Sequence, residues 1–243
     1  MIIHLVNPNT TRSMTEKIAA AARQVARGGT EIRATQPEMG PVSIEGYYDE
    51  AFATPGMLQR IREAEQQSVS AHVIACFDDT GLDAARSIAT VPVIGIGEAG
   101  YHAACLIAGK FSIVTTLARS IPAIEHNLVR YGLASRCAGV RAAGVEVLAL
   151  EDPRSGAVER ISAEIEAAKS HDRAEAIVLG CAGMADLAAR LSLQHGLPVI
   201  DGVVSAVAFA EALVSLGLKT SKLGGYAAPL SKPYSGSFGP FAP

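Results

Sequence analysis

The feature that most constrains the fold of this 243-residue chain is a repeat of its first half within its second half. Three segments recur in the same order: IIHLVNPNT from residue 2 as KFSIVTTLA, HVIACFDDTGLDAA from residue 72 as EAIVLGCAGMADLAA, and VPVIGIGEAGYHAA from residue 91 as LPVIDGVVSAVAFA. The offsets are about 108, 105 and 106 residues, so the matches share nearly one spacing. A repeat of this kind predicts two similar lobes related by a pseudo-twofold axis.

Within each half, short β-branched runs alternate with Ala-rich amphipathic stretches, which is typical of parallel strands joined by crossover helices. Near-continuous apolar runs such as AIVLG favour sheets that are covered on both faces. The predicted fold class is therefore α/β, with two flavodoxin-like lobes and an active site in the cleft between them. Strands are predicted at 2–6, 31–35, 72–76, 92–96, 111–115, 139–143, 176–180 and 197–200, and helices at 12–27, 55–69, 82–89, 98–108, 120–131, 155–170, 184–195 and 202–216.

The repeat also predicts the domain organisation. The first lobe is expected over residues 1–97 and the second over 98–206, with the C-terminal helix and tail of about 207–243 returning to the first lobe. Residues 36–54 form a long connection that contains Gly and Pro, and such connections often carry function. The tail from Gly224 is too rich in Gly, Pro and Ser for regular structure. Ser13 to Glu16, with the sequence SMTE, has the pattern of a capping box at the first helix.

Charge and composition narrow the partners. A net charge of -3 without a cluster of Lys and Arg offers no surface for nucleic acid or an acidic membrane. The N-terminal apolar stretch is only about five residues long, and no run of about 18 apolar residues occurs, so neither a leader nor a membrane span is expected. These features favour a cytoplasmic protein with a small-molecule substrate. The four cysteines are expected as free thiols, and because no CxxC spacing occurs, no metal site is predicted.

Two cysteines are the strongest signal for chemistry. A single free cysteine is usually a small buried hydrophobe, and Cys105 and Cys137 are interpreted in that way. Cys76 and Cys181, however, occupy equivalent places in the repeat, each at the carboxyl end of an apolar strand and before a helix. Because ligands of open α/β sheets bind at the carboxyl ends of strands, both thiols are expected in the shared cleft.

Two facing thiols can invert a stereocentre. The amides at a helix N-terminus favour a thiolate, so the pKa of each thiol is expected to be lowered toward neutrality. One thiolate can then remove a proton from one face of a carbon acid while the opposite thiol returns a proton to the other face. No cofactor is needed, provided that an adjacent carbonyl oxygen meets preorganised donors.

Donors of that kind are available at the predicted strand ends. Asn9 in NPNTT ends the first strand, and Thr115 and Thr116 end its counterpart in the second half. Their side chains can cap helices, contact a ligand, or do both. The backbone amides of Ala182 and Gly183 follow the second cysteine and suit an oxyanion or an imide carbonyl.

Asp78 and Asp79 directly follow the first cysteine motif and allow two interpretations. They can cap the helix that starts near Gly81. If one of them instead points into the cleft, its charge disfavours a thiolate, and Cys76 rests as the neutral proton donor.

The segments NPNTT, ACFDDTGL, IVTTLARS, IVLGCAGM and PVIDGV together resemble the aspartate/glutamate/hydantoin racemase superfamily, and most closely the hydantoin racemases. The resemblance covers the chain to about residue 225. It implies two α/β lobes, a cofactor-independent two-base mechanism with Cys76 and Cys181 as the catalytic pair, and a homo-oligomer. It also implies a substrate-holding shell under a loop that contains Ser43 and Glu45. The shell consists of Asn9, Phe77, Thr115, Thr116 and the amides of Ala182 and Gly183.

Departures from the superfamily pattern bear on the substrate. Its amino-acid racemases carry Cys-Asn-Thr at the first cysteine, whereas this chain has Cys-Phe-Asp-Asp-Thr, which favours a neutral ring over an amino acid. Related decarboxylases retain only the second cysteine, and this chain has both. The predicted function is racemisation of 5-substituted hydantoins. An allantoin racemase and a non-catalytic small-molecule-binding module stay open as alternatives.

Overall fold

The computed structural model describes residues 1–243, and its first half forms a four-stranded parallel sheet in the order β2-β1-β3-β4. The central strands β1 and β3 are almost wholly buried, as their apolar sequences predict. Helices connect successive strands, as parallel pairing requires. The strands are β1 (Ile2–Val6), β2 (Glu31–Thr35), β3 (Ala71–Ile74) and β4 (Val93–Gly95), and the helices are α1 (Arg12–Val25), α2 (Tyr47–Glu65), α3 (Leu82–Ile88) and α4 (Ile96–Ile107).

The second half repeats this topology in a second parallel sheet of order β6-β5-β7-β8. Corresponding strands occupy corresponding places, so the α/β class and the two similar lobes are confirmed. Its strands are β5 (Phe111–Thr115), β6 (Cys137–Ala142), β7 (Ala176–Gly180) and β8 (Val199–Ile200), and its helices are α5 (Ile121–Arg130), α6 (Ala157–Ala167), α7 (Ala188–His195) and α8 (Gly202–Ser215).

The two lobes share one core because they exchange helices. Helix α4 follows the first sheet but packs against β7 of the second, whereas α8 follows the second sheet and packs against β3, β4 and α1 of the first. The largest buried apolar cluster accordingly contains residues of both sheets. Tyr101 of α4 lies at its centre, with its ring 5.2 Å from that of Phe77 and 6.3 Å from that of Phe111. The lobes therefore pack around a common core, while the domain boundary at residue 97 stays a prediction.

Helix α2 starts earlier than the sequence pattern indicates. Pro55 is the predicted first residue, because proline favours the first turn of a helix, but the helix begins at Tyr47 and Pro55 lies inside it. The earlier start is stabilised by Asp49, whose carboxylate accepts the backbone N–H of Glu45 at 2.9 Å. The long connection is therefore 36–46 rather than 36–54.

The predicted capping box at α1 is also wrong. The helix begins at Arg12, one residue before the proposed cap. The hydroxyl of Ser13 donates to Glu151 in the second lobe at 2.9 Å, and Glu16 pairs with Arg12. Both side chains are therefore bound to partners other than the backbone amides of the first turn.

The C-terminal tail returns to the first lobe and lies against α3. The ammonium of Lys222 donates to the backbone carbonyls of Arg86 and Ser87, and the hydroxyl of Tyr226 donates to Asp83 at 3.0 Å. Contrary to the expectation of no regular structure, two short 3-10 segments occur in the tail, Gly224–Tyr226 and Gly236–Phe241. No helix combines the length and apolar composition needed to cross a membrane.

Candidate active site

A cavity lies where the carboxyl ends of the four central strands meet. The segments after β1 and β3 supply one side and those after β5 and β7 the other, so both lobes contribute to its wall. The lining residues are Asn7, Pro8, Asn9, Met14, Ile44, Ala75, Cys76, Phe77, Asp78, Thr116, Ser120, Val147, Gly180, Cys181 and Ala182.

The cavity brings together the two cysteines that the repeat singles out. Cys76 follows β3 and Cys181 follows β7, and both thiols are half-buried. Each sulfur accepts the backbone N–H of the residue two positions later, which is Asp78 for Cys76 and Gly183 for Cys181. Thr80 adds a second donor to the Cys76 sulfur at 3.2 Å. The pseudo-twofold symmetry of the fold thus extends to the environment of the two sulfurs.

Both thiols are neutral at neutral pH, contrary to the expectation of a lowered pKa. Burial raises the pKa of Cys76 well above its ordinary value, and the charge of Asp78 raises it further. Burial likewise raises the pKa of Cys181, to about 11. The expectation fails because α3 and α7 begin only at Leu82 and Ala188, several residues beyond the sulfurs. The dipole of a helix acts only within its first turn, so it does not reach these sulfurs. Each sulfur is stabilised as a thiolate by one backbone amide, and this effect is smaller than the increase in pKa caused by burial.

Amide and hydroxyl side chains form the polar part of the wall. Asn7 donates through Nδ2 to Oδ1 of Asn9 at 2.9 Å and to Thr15 at 3.0 Å. Asn9 Oδ1 also accepts the backbone N–H of Thr11 at 2.9 Å, so its amide plane is held in one orientation. Thr116 and Ser120 line the opposite, second-lobe side. Asn7 and Ser120 were not predicted; for Asn7 the signal was its place in the same NPN segment as Asn9.

Two residues of the predicted substrate-holding shell, Thr115 and Gly183, and Ser43 of the predicted covering loop do not line the cavity. The hydroxyl of Thr115 donates to the backbone carbonyl of Gly180 at 3.0 Å, which joins β5 to β7. Ser43 instead donates to Glu45 at 3.3 Å. The amide of Gly183 is directed at the Cys181 sulfur. The alternation of side chains along a strand explains the first case, since Thr116 faces the cavity and Thr115 therefore faces away.

The remaining predicted shell residues lie in the wall. Phe77 and Ala182, each directly after a cysteine, join Asn9 and Thr116 there. The ring of Phe77 is held edge-on to Tyr101, whose helix α4 packs on the second lobe. Phe77 is therefore placed by contacts with both lobes.

The loop 36–46 closes the cavity and is tied to the second lobe. Ile44 and Val147 line the cavity from the loop and from the 3-10 segment Val147–Glu151. Glu45 joins the two, because its Oε1 accepts the backbone N–H of Val147 at 3.1 Å. The sequence did not indicate this partner, which lies far away along the chain.

Neither aspartate after Cys76 caps the helix α3. Asp79, in a left-handed backbone conformation with φ 52, reaches α4 and accepts the backbone N–H groups of Gly97 at 2.9 Å and Glu98 at 2.8 Å. Its Oδ2 also accepts the hydroxyl of Tyr131 in the second lobe at 2.7 Å. Burial nevertheless raises the pKa of Asp79 to about 7. Asp79 therefore holds the loop of Cys76 against the exchanged helix.

Glycines at the start of α4 make this contact possible. A Cβ at Gly95 would lie 2.0 Å from Oδ1 of Asp79, and a Cβ at Gly97 would lie 2.3 Å from the carbonyl oxygen of Phe77. In the second lobe Asp201 performs the equivalent capping of α8 from its own position, with Oδ1 accepting the N–H of Val204 at 2.7 Å. The N-termini of α4 and α8 are thus both capped by an aspartate, but Asp79 comes from the loop after β3 and Asp201 directly precedes α8.

No group of three or more His, Cys, Asp or Glu side chains is arranged to hold a metal ion. No lysine or arginine lines the cavity either. The groups available to a ligand are thiols, amides, hydroxyls, one carboxyl and an apolar wall. Such a set suits a neutral polar ring.

Known proteins share both the sequence and the fold. A hydantoin racemase of Rhizobium meliloti is 50% identical over 236 residues, which are 97% of this chain and 98% of that protein. A hydantoin racemase of Pseudomonas sp. (strain NS671) is 46% identical over 98% of this chain and 95% of its own length. The solved structure of an allantoin racemase from Klebsiella pneumoniae matches with a TM-score of 0.97 at 49% identity, covering 100% of this chain and 99% of that one. Residues 3–210 match the family described as Asp/Glu/Hydantoin racemase. The chain therefore belongs to the Asp/Glu/Hydantoin racemase family, as its motifs indicated.

Proposed function

We propose that this racemase interconverts the enantiomers of 5-substituted hydantoins without a cofactor, with Cys76 and Cys181 as the two acid–base groups. The observation that carries the proposal is that both thiols line one cavity, at equivalent strand ends of two symmetric lobes. A pseudo-twofold arrangement supplies a proton acceptor and a proton donor from opposite sides. Inversion by a two-base mechanism uses such a pair, one group on each face of the carbon atom.

The chemistry is proton transfer next to a carbonyl group. In a hydantoin, the C5–H bond is adjacent to the C4 carbonyl. When a thiolate takes the C5 proton, the electron pair moves toward the C4 oxygen and C5 becomes planar. The opposite thiol then donates its proton to the other face. The side chains of Asn9 and Thr116 and the backbone amide of Ala182, with Phe77 against the ring, are proposed to hold the ring and the developing oxyanion.

Two observations favour a neutral cyclic substrate over an amino acid. The cavity wall carries no cationic side chain that could pair with a free carboxylate. Its amides and hydroxyls instead match the N–H and C=O groups of a cyclic ureide, and Met14, Ile44 and Val147 offer an apolar surface to the C5 substituent. The two bacterial relatives described above are named as hydantoin racemases.

Allantoin is the second candidate substrate. It is itself a hydantoin, with a polar ureido group at C5, and the Klebsiella pneumoniae structure of the same fold is named as an allantoin racemase. The acid–base chemistry at C5 is identical for both candidates. They differ only in the polarity of the C5 substituent, so a substrate panel separates them.

Homo-oligomer formation and a cytoplasmic location are further proposals. Helix α2 presents Tyr48 and Phe52 to solvent, 76% and 56% exposed, with their rings 4.8 Å apart. Such an exposed aromatic pair is consistent with a contact between copies. Light scattering of the purified protein measures the oligomeric state.

The test follows one enantiomer in D₂O. A single enantiomer of a 5-alkyl hydantoin, a 5-aryl hydantoin or allantoin is incubated with the enzyme, and optical rotation and deuterium at C5 are recorded against an enzyme-free blank. We expect loss of rotation to be accompanied by deuterium entry, with faster turnover of the alkyl and aryl compounds than of allantoin. Faster turnover of allantoin reverses the order of the two candidates. Binding without deuterium entry for any compound indicates a non-catalytic binding module and refutes the proposal.

Cysteine variants test the two-base mechanism. Cys76→Ser and Cys181→Ser are each expected to lose about 10²- to 10⁴-fold in racemisation rate, the usual contribution of a general acid–base group. Each variant is expected to retain C5 exchange with only one enantiomer, the one whose proton faces the remaining thiol. The matched control is Cys105→Ser on α4, which lies outside the cavity. Full racemisation activity in either cavity variant contradicts the mechanism.

A further inference from the structure

Asp78 is the one ionisable side chain besides the thiols that lines the cavity. Its backbone is held at both ends: its N–H points to the Cys76 sulfur, and its carbonyl oxygen accepts Nδ2 of Asn127 in α5 at 2.9 Å. Its carboxyl group, in contrast, makes no hydrogen bond to the protein. The neighbouring Asp79 shows the opposite pattern, with both carboxylate oxygens bonded to α4 or Tyr131. The carboxyl of Asp78 thus belongs to the wall of the cavity that both thiols line and has no hydrogen-bond partner in the protein.

Because both thiols are neutral in the resting protein, neither can act as a base directly. A two-thiol racemase needs one thiolate and one thiol at the moment of reaction, so one thiol must first release a proton. The charge of Asp78 acts on both Cys76 and Cys181. A thiolate beside an ionised Asp78 carries an electrostatic cost that a thiolate beside a protonated Asp78 does not. The cavity therefore favours a single negative charge shared among three groups.

We propose that Asp78 is the third acid–base group of this site and accepts the proton that one thiol releases before it acts as the base. The inference rests on the proposed two-thiol racemisation and deepens it. Cys76 and Cys181 keep their roles at the two faces of the substrate. Asp78 sets which of them is ionised.

Atoms and charges balance over one turnover that starts from two thiols and one carboxylate. The S–H bond of Cys76 breaks and an O–H bond forms on Asp78. The Cys76 thiolate then takes the C5 proton, and the electron pair of the C–H bond moves to the C4 oxygen. The thiol of Cys181 gives its proton to the opposite face, which leaves a Cys181 thiolate. Asp78 returns its proton to that thiolate and restores the starting state.

The groups that face Asp78 determine how it titrates. The like charges of Glu50, at the start of α2, and of Asp79 both raise the pKa of Asp78. The charge of Asp78 also acts on Tyr101 of α4 and on the two thiols. One carboxylate oxygen of Glu50 is buried without a partner. Burial first and the charge of Glu50 second raise the pKa of Asp78 to about 7. Because the carboxylate form is needed at the start, racemisation is expected to increase with pH through this range.

The test compares Asp78→Asn with the wild type. We expect kcat to fall by at least about 10²-fold, while the affinity for 5,5-dimethylhydantoin, which has no C5 proton, changes less than about threefold. The rise of activity with pH near 7 is expected to disappear. Glu50→Gln removes a like charge, so the pKa of Asp78 falls and the rise is expected to move to lower pH by at least about half a unit. Glu159→Gln on α6, an exposed residue with the same change of charge, is the control and should leave the profile unchanged.

The outcomes separate this inference from the proposed function. An Asp78→Asn enzyme that keeps its kcat and its pH profile overturns the inference and leaves racemisation by the two thiols intact. Loss of dimethylhydantoin binding at unchanged kcat also overturns it, because Asp78 is then an acceptor for a ring N–H. A wild-type enzyme that racemises no hydantoin refutes both proposals. If Asp78→Asn does not fold, the Glu50→Gln profile decides, and an unshifted profile counts against the inference.

Discussion

Replacing Gly97 with alanine tests whether the start of α4 is shaped to hold the loop of the first cysteine. Two effects of opposite sign compete at this position. Alanine is the better helix former, by up to about 1 kcal/mol relative to glycine. Its Cβ, however, would lie 2.3 Å from the carbonyl oxygen of Phe77 and 2.9 Å from Oδ2 of Asp79. The sign of the measured change in stability therefore identifies the effect that dominates.

The geometry favours destabilisation. Real Cβ atoms stay at least about 3.0 Å from other heavy atoms, so the Phe77 carbonyl or the helix must move by about 0.7 Å. The helix cannot move easily because α8 and β7 pack against it. Overpacking of this kind costs about 1–3 kcal/mol, which exceeds the gain in helix propensity. Since Phe77 directly follows Cys76, the shift reaches the sulfur, and a displacement of about 1 Å in an active site can reduce the rate about 10²-fold.

Urea unfolding and polarimetry measure the two quantities. Gly97→Ala is expected to lower the free energy of unfolding by about 1–3 kcal/mol and the racemisation rate by about 10²-fold. Gly28→Ala is the matched control, because a Cβ at this position would have no atom within 4 Å and the backbone there is not left-handed; its effect should stay within about 0.5 kcal/mol. A Gly97→Ala protein that is as stable and as active as the wild type refutes this account of the loop.

Three further predictions concern residues outside the cavity wall. Tyr131→Phe removes a donor from the buried carboxyl of Asp79 and is expected to cost about 1.5–3 kcal/mol in urea unfolding, whereas no loss would mean that water replaces the hydroxyl. Glu45→Ala frees the cavity loop from Val147 and is expected to increase KM about five- to tenfold with a smaller effect on kcat; an unchanged KM would contradict a role in substrate retention. Burial lowers the pKa of His4 to about 3, so this imidazole stays neutral in the folded protein. In the unfolded chain it gains a proton below about pH 6.5. The free energy of unfolding is therefore expected to decrease as the pH falls from about 6.5 toward 3. NMR titration checks this, since an imidazole of His4 that titrates near 6.5 in the folded protein contradicts it.

Most strands were predictable because their signals are local. Strands β1, β2, β5 and β7 have the predicted bounds, and the others differ by one or two residues at an end. The larger errors occur where a distant contact outweighs a local preference. Pro55 lies inside α2 because the helix starts earlier, and Ser13 contacts Glu151 instead of capping its own helix.

The cavity was predictable only in part. The repeat placed Cys76 and Cys181 at equivalent strand ends, and the packing of the two lobes brings both to one cavity. It did not reveal their raised pKa, because burial depends on segments from both lobes. Nor did it separate Thr115 from Thr116, since the face that each presents depends on the register of β5 in its sheet.

The sequence by itself determined the α/β class, the two parallel sheets and the carboxyl ends at which chemistry is expected, because hydrophobic periodicity and an internal repeat are properties of neighbouring residues. Only the tertiary structure decided how the two aspartates after Cys76 differ. The carboxylate of Asp79 is hydrogen-bonded to α4 and Tyr131, whereas the carboxyl of Asp78 has no hydrogen-bond partner in the protein. Two adjacent residues of one type cannot be told apart by local pattern. Their roles differ because α4 and Tyr131 of the second lobe donate hydrogen bonds to the carboxylate of Asp79 and none to that of Asp78.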